Sequence, residues 1–335
     1  MSNNIATSSK RWDLSIEMLK AIAALLVLNS HMDAMYGQYS YLGTGGSIGD
    51  ALFFFCSGYG IFLSKRHDNF INWYKRRIQR IFPSVLALAL IVGIYAWGPA
   101  PYIMTVNFFP SWFIMCVLLY YVLIYPIKQY ASNSMWYVMA GVLGIVIVWY
   151  FVWGIGKASA GNIYGGTYFK WGVYFLYMLL GATCGQKRVQ TNGLPKASFW
   201  LNLLGALVSV DVYYGIYVYT QKHIEYEPWQ LFTIIPLAGI CWFLWRMCCS
   251  DFITRCLNTR WIGAPILFVG GLCLEIMIAQ GYVFTTRLND LFPLNIPIIM
   301  VAVVLFSYFV RCVGRLVEQT FQKEDYDWRA IIAPY

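Results

Sequence analysis

The residues best placed to do chemistry stand in the first apolar run, Ile16 to Met35, where lipid should exclude charge. Lys20 lies near its start and His31 near its end, with AIAALLVLNS between them. Eleven residues at about 100° each return the two side chains to within roughly 20° of one helical face. With a rise of 1.5 Å per residue they sit about 16 Å apart along the axis, too far to touch. One helix wall thus offers a cation at one depth and an imidazole at another. Imidazole can take up and return a proton near neutrality, which is the work of a general base. Glu17, three residues before Lys20, is spaced to hold it as an intrahelical ion pair. Ionisable groups within a span usually face a cavity or a pathway. The alternative is that Lys20 snorkels to a headgroup while His31 rests in the far interface.

The next apolar run, ALFFFCSGYGIFL, sets Ser57, Gly58 and Gly60 among bulky aromatics, a pattern that permits close helix approach. It leads into FINWYKRRIQRIFPSV, where Lys75, Arg76, Arg77 and Arg80 are closed by Pro83. A basic cluster at a membrane face ordinarily marks topology or anionic lipid. Arg77 and Arg80, three apart on a helix, share a face, and guanidinium forks match phosphate oxygens bidentately. The pair therefore predicts a clamp for a phosphorylated ligand. The glycine-rich stretch GTGGSIGD, Gly43 to Asp50, matches neither a Walker loop nor a dinucleotide fingerprint. It reads as a flexible external connection, with the lining of a substrate entrance as the alternative.

These residues need a scaffold, and composition says which kind. The 335 residues are 59% hydrophobic and only 12% charged, against about 25% charged in a soluble domain. This predicts an all-α polytopic membrane bundle in a single domain, 1–335, with a short cytoplasmic or interfacial tail at about 316–335. Runs near 20 residues give about ten transmembrane helices: 16–35, 48–64, 82–98, 111–127, 134–153, 168–186, 198–219, 229–247, 261–283 and 292–313. With ten spans, only Lys157, Lys170, Lys222 and Arg287 fall on one side; Lys20 is inside a span and nineteen of the 24 basic residues fall on the other. The positive-inside rule makes that side, and both termini, cytoplasmic. It also accounts for the net charge of +9, so no nucleic-acid partner is expected. No amino-terminal signal peptide is expected, because the first run is too long and lacks a small-residue cleavage site. The nine cysteines show no metal-ligand spacing; packing sulfur is their expected role and no metal is expected.

IEMLKAIAALLVLNSH, FFFCSGYGIFL and KRRIQRIFP together resemble the signature of the acyltransferase-3 family of membrane acyltransferases. That family places an arginine eleven residues before a histidine, then an FF-x-x-SG-[YF] span, then an RR-x-x-R-x-x-P segment. SWFIMCVLLYYVLIYPI, YFLYMLLGATCG and GGLCLEIMIAQ resemble its later spans in order. The resemblance implies transfer of an acyl group, commonly acetyl, from cytoplasmic acyl-coenzyme A to a hydroxyl of a cell-surface glycan or lipid-linked saccharide. It implies an acyl-CoA-dependent O-acyltransferase in a membrane, by expectation the bacterial inner membrane, with lipid around it and no metal cofactor. His31 matches the family's histidine and is the expected catalytic residue, as general base or as the bearer of an acyl-histidine. Lys20, Ser57, Tyr59, Arg76, Arg77, Arg80, Trp112, Glu275 and Gln280 match positions expected to hold substrate or donor. Three departures stand out: Lys20 replaces the arginine, Cys273 and Met277 replace serine and tyrosine, and Gln280 replaces a late histidine.

The other histidines carry less. His67 follows two cations in a charged loop, and His223 sits in the external QKHIEYE loop; both read as solvated. Asp33, two residues from His31, points elsewhere on a helix and is a poor orienter of the imidazole. A polytopic transporter of a small solute or lipid-linked sugar is the competing reading, though no repeat symmetry supports it. The sequence leaves the acceptor, the acyl chain and the oligomeric state open, a homo-oligomer included.

Overall fold

The structure is a computed structural model that describes residues 13–64, 68–95, 112–153, 162–165, 168–191, 193, 195, 197–322 and 324–334. Lys10, Arg11 and His67 lie outside the described residues. Every regular element among the described residues is helical. In chain order these are α1 (Leu14–Ser30), α2 (Gly46–Leu63), α3 (Phe70–Tyr95), α4 (Trp112–Tyr130), α5 (Met135–Trp153), α6 (Phe169–Thr191) and α7 (Phe199–Lys222). There follow α8 (Ile234–Cys248), α9 (Asp251–Asn258), α10 (Arg260–Gly271), α11 (Cys273–Ala279), α12 (Asn295–Thr320) and α13 (Trp328–Ile331). Segments of 3-10 helix join several of them, notably the ten-residue, kinked Asp33–Leu42 and the single turn Gln280–Tyr282.

Among the described residues, seven helices are long and apolar enough to cross a membrane, or nine if each of two bent pairs is one span. The bent pairs are Leu14–Ser30 with Asp33–Leu42, at 99°, and Arg260–Gly271 with Cys273–Tyr282, at 56°. Both were expected as straight runs, 16–35 and 261–283. The first stops because α1 ends at Ser30, with His31 at its C-cap in a non-helical conformation. The second breaks at Leu272, between two short helices. The remaining expected span, 168–186, is α6, whose glycines, tyrosines and terminal cations keep its mean hydropathy low. α3 also departs from expectation. It begins at Phe70, so the helix that carries KRRIQR runs on without a break into the span expected from 82.

Glycine permits the tightest packing. A Cβ on Gly58 of α2 would overlap the Met178 carbonyl of α6, and one on Gly181 of α6 would overlap the Phe55 carbonyl of α2. The backbones meet there, as small residues allow between spans. Gly60, by contrast, faces open space. Around this contact Phe54, Phe55, Tyr59, Tyr120, Tyr174 and Tyr177 are fully buried. All nine cysteines are free thiols, and seven are buried among apolar neighbours.

The helix ends sort into two faces. At one, Lys128 at the end of α4 donates to the carbonyls of Ile61 (2.8 Å) and Ser64 (2.7 Å), where α2 ends. Arg188, near the end of α6, stands 4.0 Å from Asp13, the N-cap of α1. At the other, Asn29 donates to the carbonyls of Leu42 and Thr44, Thr44 meets Tyr214, and Asn295 donates to the Met35 carbonyl. α1 runs between these faces. A Cβ on Gly270 of α10 would overlap the Glu17 carbonyl, and one on Gly49 of α2 would lie 2.7 Å from the Ala23 carbonyl oxygen.

Candidate functional site

Two cavities open along α1, one near each end. The first, about 350 Å³, is lined by Lys20, Arg80, Pro83, Glu275, Arg311 and Arg315, among others. The second, about 430 Å³, is lined by His31, Asp50, Trp112, Lys170, Tyr174 and Gln280, among others. α1 thus supplies Lys20 to one cavity and His31 to the other. The broken helix does the same, with Glu275 in the first cavity and Gln280 in the second.

The Lys20 cavity is basic but its charges are organised. Lys20 forms the expected ion pair with Glu17, 2.7 Å apart. Glu275 is buried and ties three helices together. Its Oε1 accepts from Ser84 of α3 at 2.7 Å and from Arg311 Nε of α12 at 3.3 Å; its Oε2 accepts from Arg311 Nη2 at 2.8 Å. Arg311 also donates to the Gly271 carbonyl. A carboxylate facing a guanidinium fork this way is a strong, oriented contact. Pro83 lacks the amide that would bond the Gln79 carbonyl, and both residues line the cavity. α12 can approach at this point because Gly314 packs 3.2 Å from the Pro83 backbone, measured from an added Cβ. Arg315 lines the same cavity while donating to the carbonyls of Ala330, Ile331 and Ala333, which holds the segment after α12 against it.

The predicted arginine pair separates. Arg80 lines the Lys20 cavity, whereas Arg77 lies over the rings of Trp73 (5.2 Å) and Tyr121 (5.7 Å). Arg76 pairs with Asp68. The partners that Arg80 meets in its cavity are Lys20, Arg311 and Arg315, from helices distant in sequence. Tyr59 donates to Asp13 at 2.7 Å and packs on Trp245; Ser57 is half-buried on α2. Ser57, Tyr59, Arg76 and Arg77 line neither cavity.

In the second cavity the His31 ring is fixed by its own helix. Nδ1 stands 2.8 Å from the Val27 carbonyl oxygen, which can only accept, so Nδ1 carries the proton of the neutral ring. Nε2 then holds the lone pair and is the basic atom. Gln280 is buried, at 6% exposure, and its Oε1 has no hydrogen-bond partner. Trp112 begins α4, stacks on Tyr174 at 5.9 Å, and lies beneath the Lys170 ammonium at 3.7 Å. Tyr174 in turn hydrogen-bonds Asp50.

The glycine-rich stretch is part of this wall. Gly43 to Ser47 and Asp50 line the cavity, and α2 begins at Gly46. Gly45 takes φ +101°, and a Cβ on Gly46 would sit 2.6 Å from Ser30 Oγ. Glycine lets α2 start directly against the end of α1.

Asp50, Lys170, Ser84, Arg311 and Arg315 were not among the expected site residues. Asp50 and Arg311 fall inside predicted apolar spans, which was the available signal. Arg311, Arg315 and Lys170 had been taken into the charge count that sets topology. Among the described residues no group of three His, Cys, Asp or Glu could hold a metal ion.

A family model described as an acyltransferase domain, the acyltransferase-3 type, matches residues 13–312. No curated protein and no solved structure matches the chain. The matched range takes in the described lining of the His31 cavity and that of the Lys20 cavity up to Arg311; Gly314, Arg315 and Glu318 lie beyond it.

Proposed function

The chain belongs to the acyltransferase-3 family of membrane acyltransferases, and we propose that it moves an acyl group from acyl-coenzyme A to a saccharide hydroxyl. Acetyl is the simplest donor group, and a cell-surface glycan or lipid-linked saccharide is the acceptor in this reading. The observation that carries it is the division of α1 between two cavities: Lys20 in a basic one, His31 with its Nε2 lone pair in the other.

In this reading the basic loops are cytoplasmic, so the Lys20 cavity takes the donor from the cytosol. Arg80, with Lys20 and Arg315 beside it, attracts the phosphates of coenzyme A. The pantetheine arm follows α1 toward His31, a depth of about 16 Å by helical rise. The acceptor hydroxyl gives its proton to His31 Nε2 as its oxygen bonds to the thioester carbonyl carbon. The tetrahedral adduct collapses with cleavage of the carbon–sulfur bond. The imidazolium returns the proton to the departing sulfur, giving an ester and coenzyme A thiol. The buried amide of Gln280 orients one of the reacting oxygens by hydrogen bonding.

Labelled acetyl-coenzyme A, supplied to membranes bearing equal amounts of the intact protein, His31→Ala or Arg80→Ala, tests this. Label should enter a glycan or lipid fraction with the intact protein and be lost in both variants. Label unaffected by His31→Ala would overturn the catalytic assignment.

A further inference from the structure

The His31 cavity differs from the Lys20 cavity in its charge. Among the described residues, the charged side chains lining it are one acid, Asp50, and one base, Lys170, so with a neutral imidazole their charges balance. They attract each other electrostatically, yet no ion pair closes between them within 4.0 Å. Each is instead held by an aromatic neighbour. Tyr174 donates to Asp50, and the Trp112 ring carries the Lys170 ammonium at 3.7 Å. Trp112, half-buried and stacked at 5.9 Å and 24° on the buried Tyr174, gives the cavity its aromatic platform.

This leaves hydrogen-bonding capacity turned to the cavity. A carboxylate has about four lone-pair sites and an ammonium three donors, more than these neighbours use. Among the described residues Lys170 meets no hydrogen-bond acceptor in the structure. A ligand that fits must offer a donor to Asp50 and an acceptor to Lys170, and present an apolar face to the platform. A pyranose ring with two adjacent hydroxyls has all three. One hydroxyl donates to Asp50, its neighbour accepts from Lys170, and the C–H face lies on the rings. An anionic ligand would match Lys170 but meet Asp50 as a like charge.

We infer that Asp50 and Lys170 form the acceptor-recognition couple, holding adjacent hydroxyls of an uncharged sugar ring over Trp112 in the cavity that His31 lines. This inference rests on the acyl-transfer reading and gives the acceptor site its chemistry. Asp50 and Lys170 act here in binding and positioning, and His31 remains the base.

The test is coenzyme A release from acetyl-coenzyme A by purified full-length protein, with methyl α-glucopyranoside, its 3-deoxy analogue, which has no two adjacent hydroxyls, and methyl α-glucuronopyranoside as acceptor probes. The uncharged glycoside should raise the rate, and the deoxy and uronate forms should each do so at least about tenfold less well, because the buried charged partners stay unpaired or opposed. Asp50→Asn and Lys170→Met should each raise the KM for the uncharged glycoside about tenfold or more, with kcat changed far less. Equal stimulation by the three probes, stimulation by none, or variants that lower kcat with KM intact would overturn the inference. Release without glycoside, compared between the intact protein and His31→Ala, reports on the donor reading separately. If that release depends on His31 while no probe matters, only the acceptor couple fails.

Discussion

His31 Nδ1 and the Val27 carbonyl oxygen are 2.8 Å apart, one turn back along the same helix, and that contact decides which ring nitrogen is basic. The last turn of α1 has carbonyls left without amides, as any helix end does. One of them is used here to fix a tautomer. α1 ends at Ser30, which leaves the exposed ring at the C-cap, and the following segment runs at 99° to the helix.

His31→Ala should lower acyl transfer by at least about 10²-fold, the usual size of a lost general base. Thermal unfolding in detergent should change little, because the ring is exposed and its polar contacts, to Val27 and Ser30, are within its own helix. A large fall in stability alongside activity would mean that the ring is structural.

Arg80→Ala and Arg77→Ala should part company. Arg80 lines the Lys20 cavity, so its loss should raise the KM for acetyl-coenzyme A about tenfold or more, as removal of a charged phosphate contact does. Arg77 lies over Trp73 and Tyr121, and its loss should instead cost about 0.5–2 kcal/mol of stability. Matching donor KM changes in both variants would restore the paired clamp expected from their spacing.

How much of this the sequence could reveal depends on the range of the interaction. Helix positions follow from local apolar runs; the two bent spans depart from them, and α3 begins twelve residues before the run at 82–98. The Glu17–Lys20 pair is a property of one helix, so spacing sufficed; that Lys20 and His31, spaced for one face, line two separate cavities was not legible. Arg77 and Arg80 show the limit. Their spacing gives them neighbouring faces, but which face meets aromatics and which meets a cavity is set by α4 and α12. Glu275 was legible as an acid in an apolar segment; that Ser84 and Arg311 hold it was not. The separation of the site into two cavities is likewise tertiary, since it depends on how α11 and α12 lean on α1 and α3.

Gly181→Val should abolish folded protein in the membrane, while Gly60→Ala should be harmless. The first places side-chain atoms on the Phe55 carbonyl, where neither backbone can withdraw without parting α2 from α6. Overpacking of this kind costs about 1–3 kcal/mol when side chains can yield, and more where backbone is struck. At Gly60 nothing lies within 4 Å, and alanine is the better helix former. Size-exclusion profiles and thermal midpoints of the two variants check this directly. A well-folded Gly181→Val protein would mean that the helix contact is looser than the structure has it.

The Ser84–Glu275–Arg311 network allows a decisive comparison, because it distinguishes a scaffold acid from a ligand-binding one. Glu275→Ala leaves the mostly buried Arg311 guanidinium without its carboxylate, and breaking a buried pair from one side costs about 3–5 kcal/mol. Arg311→Ala should cost a similar amount by stranding Glu275. The double variant Glu275→Leu/Arg311→Met removes both charges and should recover much of the loss, which is the non-additivity expected of partners in contact. The measurement is the unfolding midpoint in detergent for the four proteins, with donor KM on each that folds. If Glu275 acts chiefly on substrate, its single variant will unfold normally and the double variant will rescue nothing.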